Sequence, residues 1–197
     1  MDYPIVETFH SVQGEGLWSG CSSVFIRLGG CDVGCPWCDT KHSWPIDHHP
    51  RRAIADLVTE AIAAAPRFVT ITGGEPLLHD LAPLTSALAA AGLRVHLETS
   101  GTHPFSGQFD WVTLSPKPFK PVHPSVYPHV QELKVVVQSE ADLAFAEVQA
   151  GAVAAGTALL LQPEASSDRA QDLIFDYVRQ QPRWRLSLQT HKLLGVR

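Results

Sequence analysis

The sequence predicts an α/β protein built on a largely parallel sheet, and three observations support this. Short apolar runs rich in Val, Ile and Leu alternate with longer segments of helical periodicity, which is typical of βα units. Most runs are apolar throughout, as expected for strands that are buried on both faces of a parallel sheet. Pro- and Gly-rich loops replace helices in the middle of the chain, so strands outnumber helices. A complete (βα)8 barrel takes about 250 residues, so 197 residues predict an incomplete, modified TIM-type (βα)6 barrel with a reduced helix count.

Seven segments have strand character, and each is short and rich in β-branched or aliphatic residues. They are residues 23–28, 67–72, 93–99, 110–115, 132–137, 157–162 and 185–189. Prolines at 116, 118, 121, 124 and 128 predict one long loop between the fourth and fifth of these strands. Loops of that length in a compact domain are usually functional or mobile.

Four segments repeat apolar residues at helical spacing. They are residues 52–65, 81–91, 140–150 and 168–181. Gly92 stands where a glycine commonly ends a helix, and Ser139 and Asp142 predict a capping pair at the start of the third helix. The predicted apolar face of the first helix consists of Ile54, Leu57, Val58 and Ile62.

Composition and charge limit the classes of function. Apolar residues make up 45% and charged residues 18% of the chain, which excludes a disordered or fibrous protein. The net charge of −5 does not suit a protein that binds nucleic acid through its phosphates. No apolar run approaches the roughly 18 residues of a membrane helix, and the start lacks the basic segment of a signal peptide. We therefore expect a single domain over residues 1–197, located in the cytoplasm, that binds neither nucleic acid nor membrane.

Three of the four cysteines form a tight cluster at Cys31, Cys35 and Cys38, directly after a predicted strand and the turn Gly29-Gly30. Clustered cysteines in a cytosolic protein indicate metal binding rather than a disulfide framework. At these spacings three thiolates can reach three corners of one [4Fe-4S] cluster, which normally takes four. One iron would then stay open, and the amino and carboxylate groups of S-adenosylmethionine can chelate such an iron.

A structural zinc site is the alternative interpretation of the same loop. His42 lies four residues after Cys38 and would complete a Cys3His ligand set. The loop alone favours the open cluster and leaves the zinc site as a second hypothesis.

Other segments identify a resemblance to a known family. The C-x3-C-x2-C loop is similar to the signature of the radical S-adenosylmethionine enzymes, and Thr72-Gly73-Gly74-Glu75-Pro76 is similar to their glycine-rich motif. More narrowly, the chain resembles the 7-carboxy-7-deazaguanine synthases of the queuosine and 7-deazapurine pathway. The further matching segments are Val12-Gln13-Gly14-Glu15-Gly16, Arg27, Cys38-Asp39-Thr40, Glu98-Thr99-Ser100-Gly101-Thr102, Ser115-Pro116-Lys117, Glu132-Leu133-Lys134, Gln162-Pro163 and Gln189-Thr190-His191-Lys192. Ser100 departs from the family, which typically has Asn at this position.

The resemblance implies a carbon–nitrogen lyase that converts 6-carboxy-5,6,7,8-tetrahydropterin into 7-carboxy-7-deazaguanine and ammonia. A reduced cluster would donate one electron to S-adenosylmethionine, and the resulting 5′-deoxyadenosyl radical would take hydrogen from C6 of the substrate. The substrate ring would then contract, with Mg²⁺ orienting the substrate carboxylate. The resemblance identifies no side chain as a general acid or base.

The resemblance also implies which residues bind the cofactors. Cys31, Cys35 and Cys38 would hold the cluster, and Thr40 would help to bind Mg²⁺, which accepts few protein ligands. The glycine pair Gly73-Gly74 stands at a strand end, where ligands bind in parallel sheets. The residues implied for the S-adenosylmethionine pocket are Trp37, Cys38, Asp39, Gly74, Ser115, Pro116, Lys117 and Gln162.

A second set of residues is implied for the pterin substrate. Arg27 lies inside an apolar run and needs a partner, and its guanidinium can bind a substrate carboxylate through two hydrogen bonds. At Arg197 the group expected to contact the substrate is the carboxylate at the end of the chain. The full set is Val12, Gln13, Gly14, Glu15, Arg27, Thr72, His191 and Arg197.

The resemblance further implies a homodimer and an electron donor such as flavodoxin or ferredoxin. Two other hypotheses remain at this point. An activating enzyme that makes a glycyl radical would share the cysteine loop but would not need Gln13, Glu15, Arg27 and His191 together. A non-enzymatic zinc module would need only the cysteine loop and His42.

Overall fold

The computed structural model describes residues 1–196 and contains one large mixed sheet. Within these residues the sheet has nine strands in the order β3-β1-β2-β4-β5-β6-β7-β8-β9. β1 is antiparallel to β2 and β3, and all other neighbouring strands are parallel. The strands are β1 Asp2–Val12, β2 Ser22–Leu28, β3 Arg51–Ala53, β4 Phe68–Gly73, β5 Val95–Thr99, β6 Trp111–Leu114, β7 Glu132–Val137, β8 Ala158–Pro163 and β9 Trp184–Leu186.

The predicted helices are present, each within two residues of its expected bounds. They are α1 Ile54–Ala64, α2 Ala82–Ala90, α3 Glu140–Ala150 and α4 Asp168–Gln180, and a short unpredicted helix, α5 Thr190–Leu194, follows β9. Gly92 ends α2 with a φ of +77°, a left-handed conformation that glycine adopts without strain. Ser139 and Asp142 form the predicted capping box of α3.

Four details of individual elements differ from the predictions. β1 and β3 were not predicted, because β1 mixes apolar and polar residues without a regular alternation and shifts register after Ile5, while it pairs with both β2 and β3. The expected helix 52–65 starts only at Ile54, since the preceding residues pair with β1. Ile62 is 53% exposed, and Ala61 takes its place in the core. β9 ends at Leu186 instead of continuing to residue 189.

The strand register separates the sheet into two faces, since side chains alternate along each strand. Ile71 and Leu97 pair with each other and lie, with Leu133, on a fully buried apolar face. This face belongs to the same hydrophobic core as Leu84 of α2 and Ile174 of α4. The other face, called the inner face below, carries the polar side chains of the strands. The strands predicted from nearly continuous apolar runs therefore have one apolar face and one face that carries polar side chains.

Residues that follow β1, the second strand in the order, meet residues that follow β9 at its far end. Gly14, just after β1, accepts a hydrogen bond from the N–H of Thr190 at 2.8 Å, and the N–H of Gly16 donates to the hydroxyl of Ser187 at 3.1 Å. Neighbouring strands lie about 4.8 Å apart, so the seven spacings from β1 to β9 would span about 34 Å in a flat sheet. The sheet therefore curves around its inner face.

In the described part of the chain, no α-helix connects β5 to β6 or β6 to β7. This agrees with the α/β class and with the expected shortage of helices. Among residues 1–196, no helix has both the length and the apolar content of a membrane span.

Candidate active site

A cavity of about 360 Å³ opens on the inner face of the sheet. The predicted site residues that line it are Val12, Gln13, Gly14, Glu15, Arg27, Cys31, Cys35, Trp37, Cys38, Asp39, Thr40, Thr72, Gly74, Ser115, Lys117, Gln162 and His191. Pro116 is buried and is not part of the cavity wall. Arg197 lies outside the described residues. Residues that are far apart in sequence thus meet around one space.

The cysteine loop follows β2 and is held by backbone hydrogen bonds. The N–H of Cys31 donates to the carbonyl of Trp44 at 3.0 Å, and that of Cys38 to the carbonyl of Cys35 at 3.1 Å. Gly34 has a φ of +74°, which lets the loop turn between the first two cysteines. Burial raises the pKa of the Cys31 and Cys35 thiols, so burial by itself favours their protonated form. All three thiols line the cavity without a disulfide, and this donor set fits an iron–sulfur cluster.

The geometry does not favour the zinc alternative. His42 is exposed and is not among the residues that line the cavity. Within residues 1–196, no three His, Cys, Asp or Glu side chains converge closely enough to hold a single metal ion.

The glycine pair after β4 packs directly on the cysteine loop. A Cβ atom on Gly74 would lie 2.1 Å from the carbonyl oxygen of Gly30 and 2.8 Å from the Cβ of Cys31. Gly73 has a φ of +143°, and a Cβ there would lie 2.2 Å from the carbonyl oxygen of Leu28. Only glycine fits at either position, and both glycines line the cavity.

A network of buried charges lies on the inner face, and the sequence analysis gave no role to two of its members. Lys134 of β7 is 3% exposed and contacts the carboxylates of both Glu15 and Glu98, the latter at 3.0 Å. Gln13 donates to Glu98 at 3.1 Å, and Gln189 donates to Glu15 at 2.7 Å. A polar residue inside a buried strand, as at Glu98 and Lys134, is the signal that could have identified them.

The network gives its two carboxylates different proton affinities. Burial by itself raises the pKa of Glu15, but Lys134 outweighs it and holds the pKa at about 2. Burial raises the pKa of Glu98, which Lys134 only partly opposes. The Lys134 ammonium stays charged, because the two carboxylates raise its pKa despite burial. A ligand on this surface meets one ionised carboxylate and a second that binds a proton more readily.

Arg27 has a protein partner on the neighbouring strand. Its Nε donates to Glu7 at 2.9 Å, and its guanidinium lies 5.9 Å from the ring centre of Phe9. The partner predicted for this charge from the sequence was a substrate carboxylate. A guanidinium has five N–H donors, so the Nε bond to Glu7 does not exhaust it.

The remaining predicted cofactor residues are held in place by neighbours. Lys117 donates to the carbonyl and hydroxyl oxygens of Ser115 at 2.7 and 2.8 Å, and burial lowers the pKa of its ammonium. Gln162 accepts a hydrogen bond from Ser187 at 3.0 Å. Trp37 packs edge-to-face against Phe119, with ring centres 5.7 Å apart.

Thr40 lies close to the last cysteine and Thr72 lies beside Arg27. The hydroxyl of Thr40 is 3.5 Å from the sulfur of Cys38. Thr72 pairs with Arg27 across β2 and β4, so their side chains share the inner face.

The C-terminal helix α5 closes one side of the cavity. A Cβ on Gly14 would lie 2.0 Å from Nδ1 of His191, so the glycine lets this side chain reach the cavity wall. Lys192 donates to Asp39 of the cysteine loop at 2.7 Å and to Gln189 at 2.9 Å. No contact was predicted for Lys192 from the sequence, because its link to Asp39 depends on the tertiary structure.

Glu132 predicts a measurable pH dependence of stability. It is 2% exposed, accepts the N–H of Leu17 at 3.0 Å, and burial raises its pKa from 4.5 to about 7. Between these values the folded protein keeps a proton that the unfolded chain loses, so the stability from this group falls as pH rises from 4.5 to 7. We expect the difference in unfolding free energy between wild type and Glu132→Gln to fall by about 3 kcal/mol over this range. Parallel pH curves for the two proteins would contradict the prediction.

Comparisons with known proteins agree with the site. The model of the radical SAM superfamily matches residues 25–117. A 7-carboxy-7-deazaguanine synthase from Synechocystis sp. is 55% identical over 197 residues, which is 100% of this chain and 95% of the relative. One from Escherichia coli K12 is 36% identical over 223 aligned residues and covers 100% of both chains.

A solved structure gives the same result. The crystal structure of QueE from Escherichia coli superposes with a TM-score of 0.87 at 36% identity, covering 97% of this chain and 95% of that one. These relatives do not favour a glycyl-radical-activating enzyme or a zinc module. Because relatives at 55% and 36% identity match the whole chain, the chain belongs to the family of 7-carboxy-7-deazaguanine synthases in the radical SAM superfamily.

Proposed function

We propose that this protein converts 6-carboxy-5,6,7,8-tetrahydropterin into 7-carboxy-7-deazaguanine and ammonia by radical ring contraction, in 7-deazapurine biosynthesis. One observation carries the proposal: the three thiols of the cysteine loop and the Glu15–Lys134–Glu98 network line the same cavity. A site for a redox cluster and a polar surface for a small heterocycle thus share one space.

Membership of the radical SAM superfamily implies a [4Fe-4S] cluster and S-adenosylmethionine. When bound, these groups supply the one-electron chemistry that side chains lack. We assign the cluster to Cys31, Cys35 and Cys38, which leaves one iron for the cofactor. We assign the cofactor pocket to Trp37, Cys38, Asp39, Gly74, Ser115, Lys117 and Gln162, and we leave out Pro116 because it does not line the cavity.

The substrate would lie against the inner face. Gln13 and Glu15 would meet the donor and acceptor edge of the pterin, and Arg27 its carboxylate. Thr40 would help to hold a Mg²⁺ ion beside that carboxylate, with substrate and water as its other ligands. Val12, Gly14, Thr72, His191 and Arg197 complete the proposed set.

The side chains of this protein would contribute orientation and the exclusion of water. Lys134 fixes the two carboxylates relative to each other, and Gln13 and Gln189 hold them from either side. Such a preformed surface orients a bound ring without reorganisation. α5 borders the cavity through His191 and Lys192, and Lys192 links it to Asp39 of the cysteine loop.

We also infer the larger organisation. Residues 1–197 would form a single domain, because the nine strands of the described chain share one sheet. The contact between the residues after β1 and those after β9 supports an incomplete TIM-type (βα)6 barrel. We propose a homodimer, an electron donor such as flavodoxin or ferredoxin, and a cytoplasmic location, which unpaired cysteines support.

Anaerobic reconstitution tests the proposed function. The protein is loaded with iron and sulfide and incubated with reductant, S-adenosylmethionine, Mg²⁺ and the carboxylated tetrahydropterin. We expect deazaguanine product and ammonia in equal amounts. If 5′-deoxyadenosine forms while no deazaguanine appears, the superfamily chemistry stands and the proposed substrate is wrong. A protein that takes up zinc and no iron would overturn the whole proposal.

Arg27→Ala tests the carboxylate contact. We expect the affinity for the pterin to fall roughly 10- to 100-fold, because a charge-assisted hydrogen bond is lost. Iron content should not change, since Arg27 lies on a strand and not in the cysteine loop. Binding titration measures the affinity, and Arg51→Ala, which removes an exposed ion pair with Asp2, is the matched control. Equal pterin affinity in wild type and Arg27→Ala would remove Arg27 from the substrate site.

A further inference from the structure

Glu75 occupies a position that the proposed function does not yet explain. Its side chain is buried, with 1% of the residue exposed, and it follows the glycine pair. A buried carboxylate is costly unless each of its oxygens is hydrogen-bonded. The donors that satisfy it show which parts of the structure it connects.

Four neutral donors converge on this carboxylate. Oε1 accepts the N–H of Leu77 at 3.0 Å and the hydroxyl of Thr99 at 2.5 Å. Oε2 accepts the N–H of Ser100 at 2.8 Å and also contacts the Ser100 hydroxyl. The hydroxyl of Thr99 accepts the N–H of Gly101 at 2.9 Å, which directs its own proton towards Glu75. The donors come from the turn after β4, from the last residue of β5 and from the loop that follows β5.

The backbone of the same residue contacts a third loop. The N–H of Glu75 donates to the carbonyl of Gly30 at 2.8 Å, immediately before Cys31. Gly74 has no free space on that side, because a Cβ would lie 2.1 Å from the same carbonyl oxygen. A shift of Glu75 would therefore move Gly74 against the cysteine loop.

We propose that Glu75 is a positioning residue that sets the backbone of Gly74 for S-adenosylmethionine, and that the Ser100 hydroxyl fixes Glu75 in this chain. This inference rests on the proposed function only in the identity of the cofactor. It assigns a role to Ser100 even though Ser100 itself lines the cavity and could instead touch the pterin. The two roles for Ser100 predict different losses of affinity.

The test measures binding to the cluster-loaded protein under anaerobic conditions. We expect Ser100→Ala to lower the affinity for S-adenosylmethionine roughly fivefold. The variant loses one hydrogen bond to a charged group, and part of the effect of that loss reaches Gly74. Glu75→Gln should lower this affinity roughly 30-fold, since the amide NH2 would face hydrogen-bond donors where the carboxylate presents an acceptor oxygen. Ser100→Thr keeps the hydroxyl and should bind the cofactor as wild type does.

A double variant and a matched control separate positioning from general destabilisation. Ser100→Ala combined with Glu75→Gln should bind no more weakly than Glu75→Gln alone, because both act through one contact. Ser106→Ala removes a half-buried hydroxyl that bridges Leu81 and His79 away from the cavity. It should lower the melting temperature without changing cofactor affinity.

The outcomes are distinct. Unchanged cofactor affinity in Ser100→Ala, or a loss confined to pterin affinity, overturns the inference. The inference is also overturned if Ser100→Ala lowers the affinity for S-adenosylmethionine no more than Ser106→Ala does. If Glu75→Gln does not fold, the variants Ser100→Ala and Thr99→Val test the inference instead. Both should lower the affinity for S-adenosylmethionine. Product formation by wild type is measured in parallel, so a wrong pterin assignment would appear there and leave the cofactor affinities as the test of Glu75.

Discussion

Cys35→Ala is expected to abolish cluster assembly and, with it, product formation. Cys35 is the middle cysteine of the loop, and it lines the cavity together with Cys31 and Cys38. With two thiolates left, the cluster loses one of only three protein ligands while one iron already depends on an outside ligand. Iron and sulfide analysis after anaerobic reconstitution, together with the visible absorption of the cluster, measures the loss.

Cys21 provides the matched control for this variant. It is a free, half-buried cysteine before β2 and is not part of the cavity wall. Cys21→Ala should assemble the cluster and form product as wild type does. Full iron content and activity in Cys35→Ala would falsify the ligand assignment.

Lys134→Met is expected to have the second large effect, on both stability and activity. Lys134 is the cation between Glu15 and Glu98, and removing it leaves two carboxylates close together on a buried surface. Breaking a buried ion pair costs about 3 to 5 kcal/mol, and the lower end applies here because both carboxylates line the cavity. About 3 kcal/mol corresponds to a fall of roughly 6 to 12 °C in the melting temperature of a chain of this size.

The activity loss of Lys134→Met has a geometric cause. Glu15 is held by Lys134 and Gln189, and without the ammonium the carboxylate can turn away from the ring that it is proposed to bind. A displacement of about 1 Å costs roughly 100-fold in rate. Adding Glu98→Gln should restore part of the stability, since the remaining repulsion is removed. Thermal unfolding and turnover are measured together, and a melting temperature equal to wild type would contradict the prediction.

Much of the fold was predictable because local patterns and tertiary structure agree. β7 and α3 were predicted to the residue, since an apolar run and a capping box mark their ends. β1 was not predictable, because its own residues show no regular pattern and its strand conformation depends on pairing with β2 and β3. Ile62 has the right spacing for the core of α1, yet Ala61 is buried instead, because packing against neighbours selects the face that the helix buries.

The candidate site also has features that the sequence predicts and features that depend on tertiary contacts. The cysteine spacing and the glycine pair could be read directly, since both act within a single loop. The partner of Arg27 could not, because Glu7 stands on a strand that the pattern did not reveal. The link from Lys192 to Asp39 joins residues that are 153 positions apart.

The amino-acid sequence by itself determined the class of fold, the spacing of the three clustered cysteines and the family resemblance, because these depend on short spacings and local patterns. Only the tertiary structure decided that Glu15, Glu98 and Lys134 form one charged network and that Glu75 joins three loops. The physical reason is that burial makes each of these charges seek a partner, and the curved sheet brings those partners from distant strands.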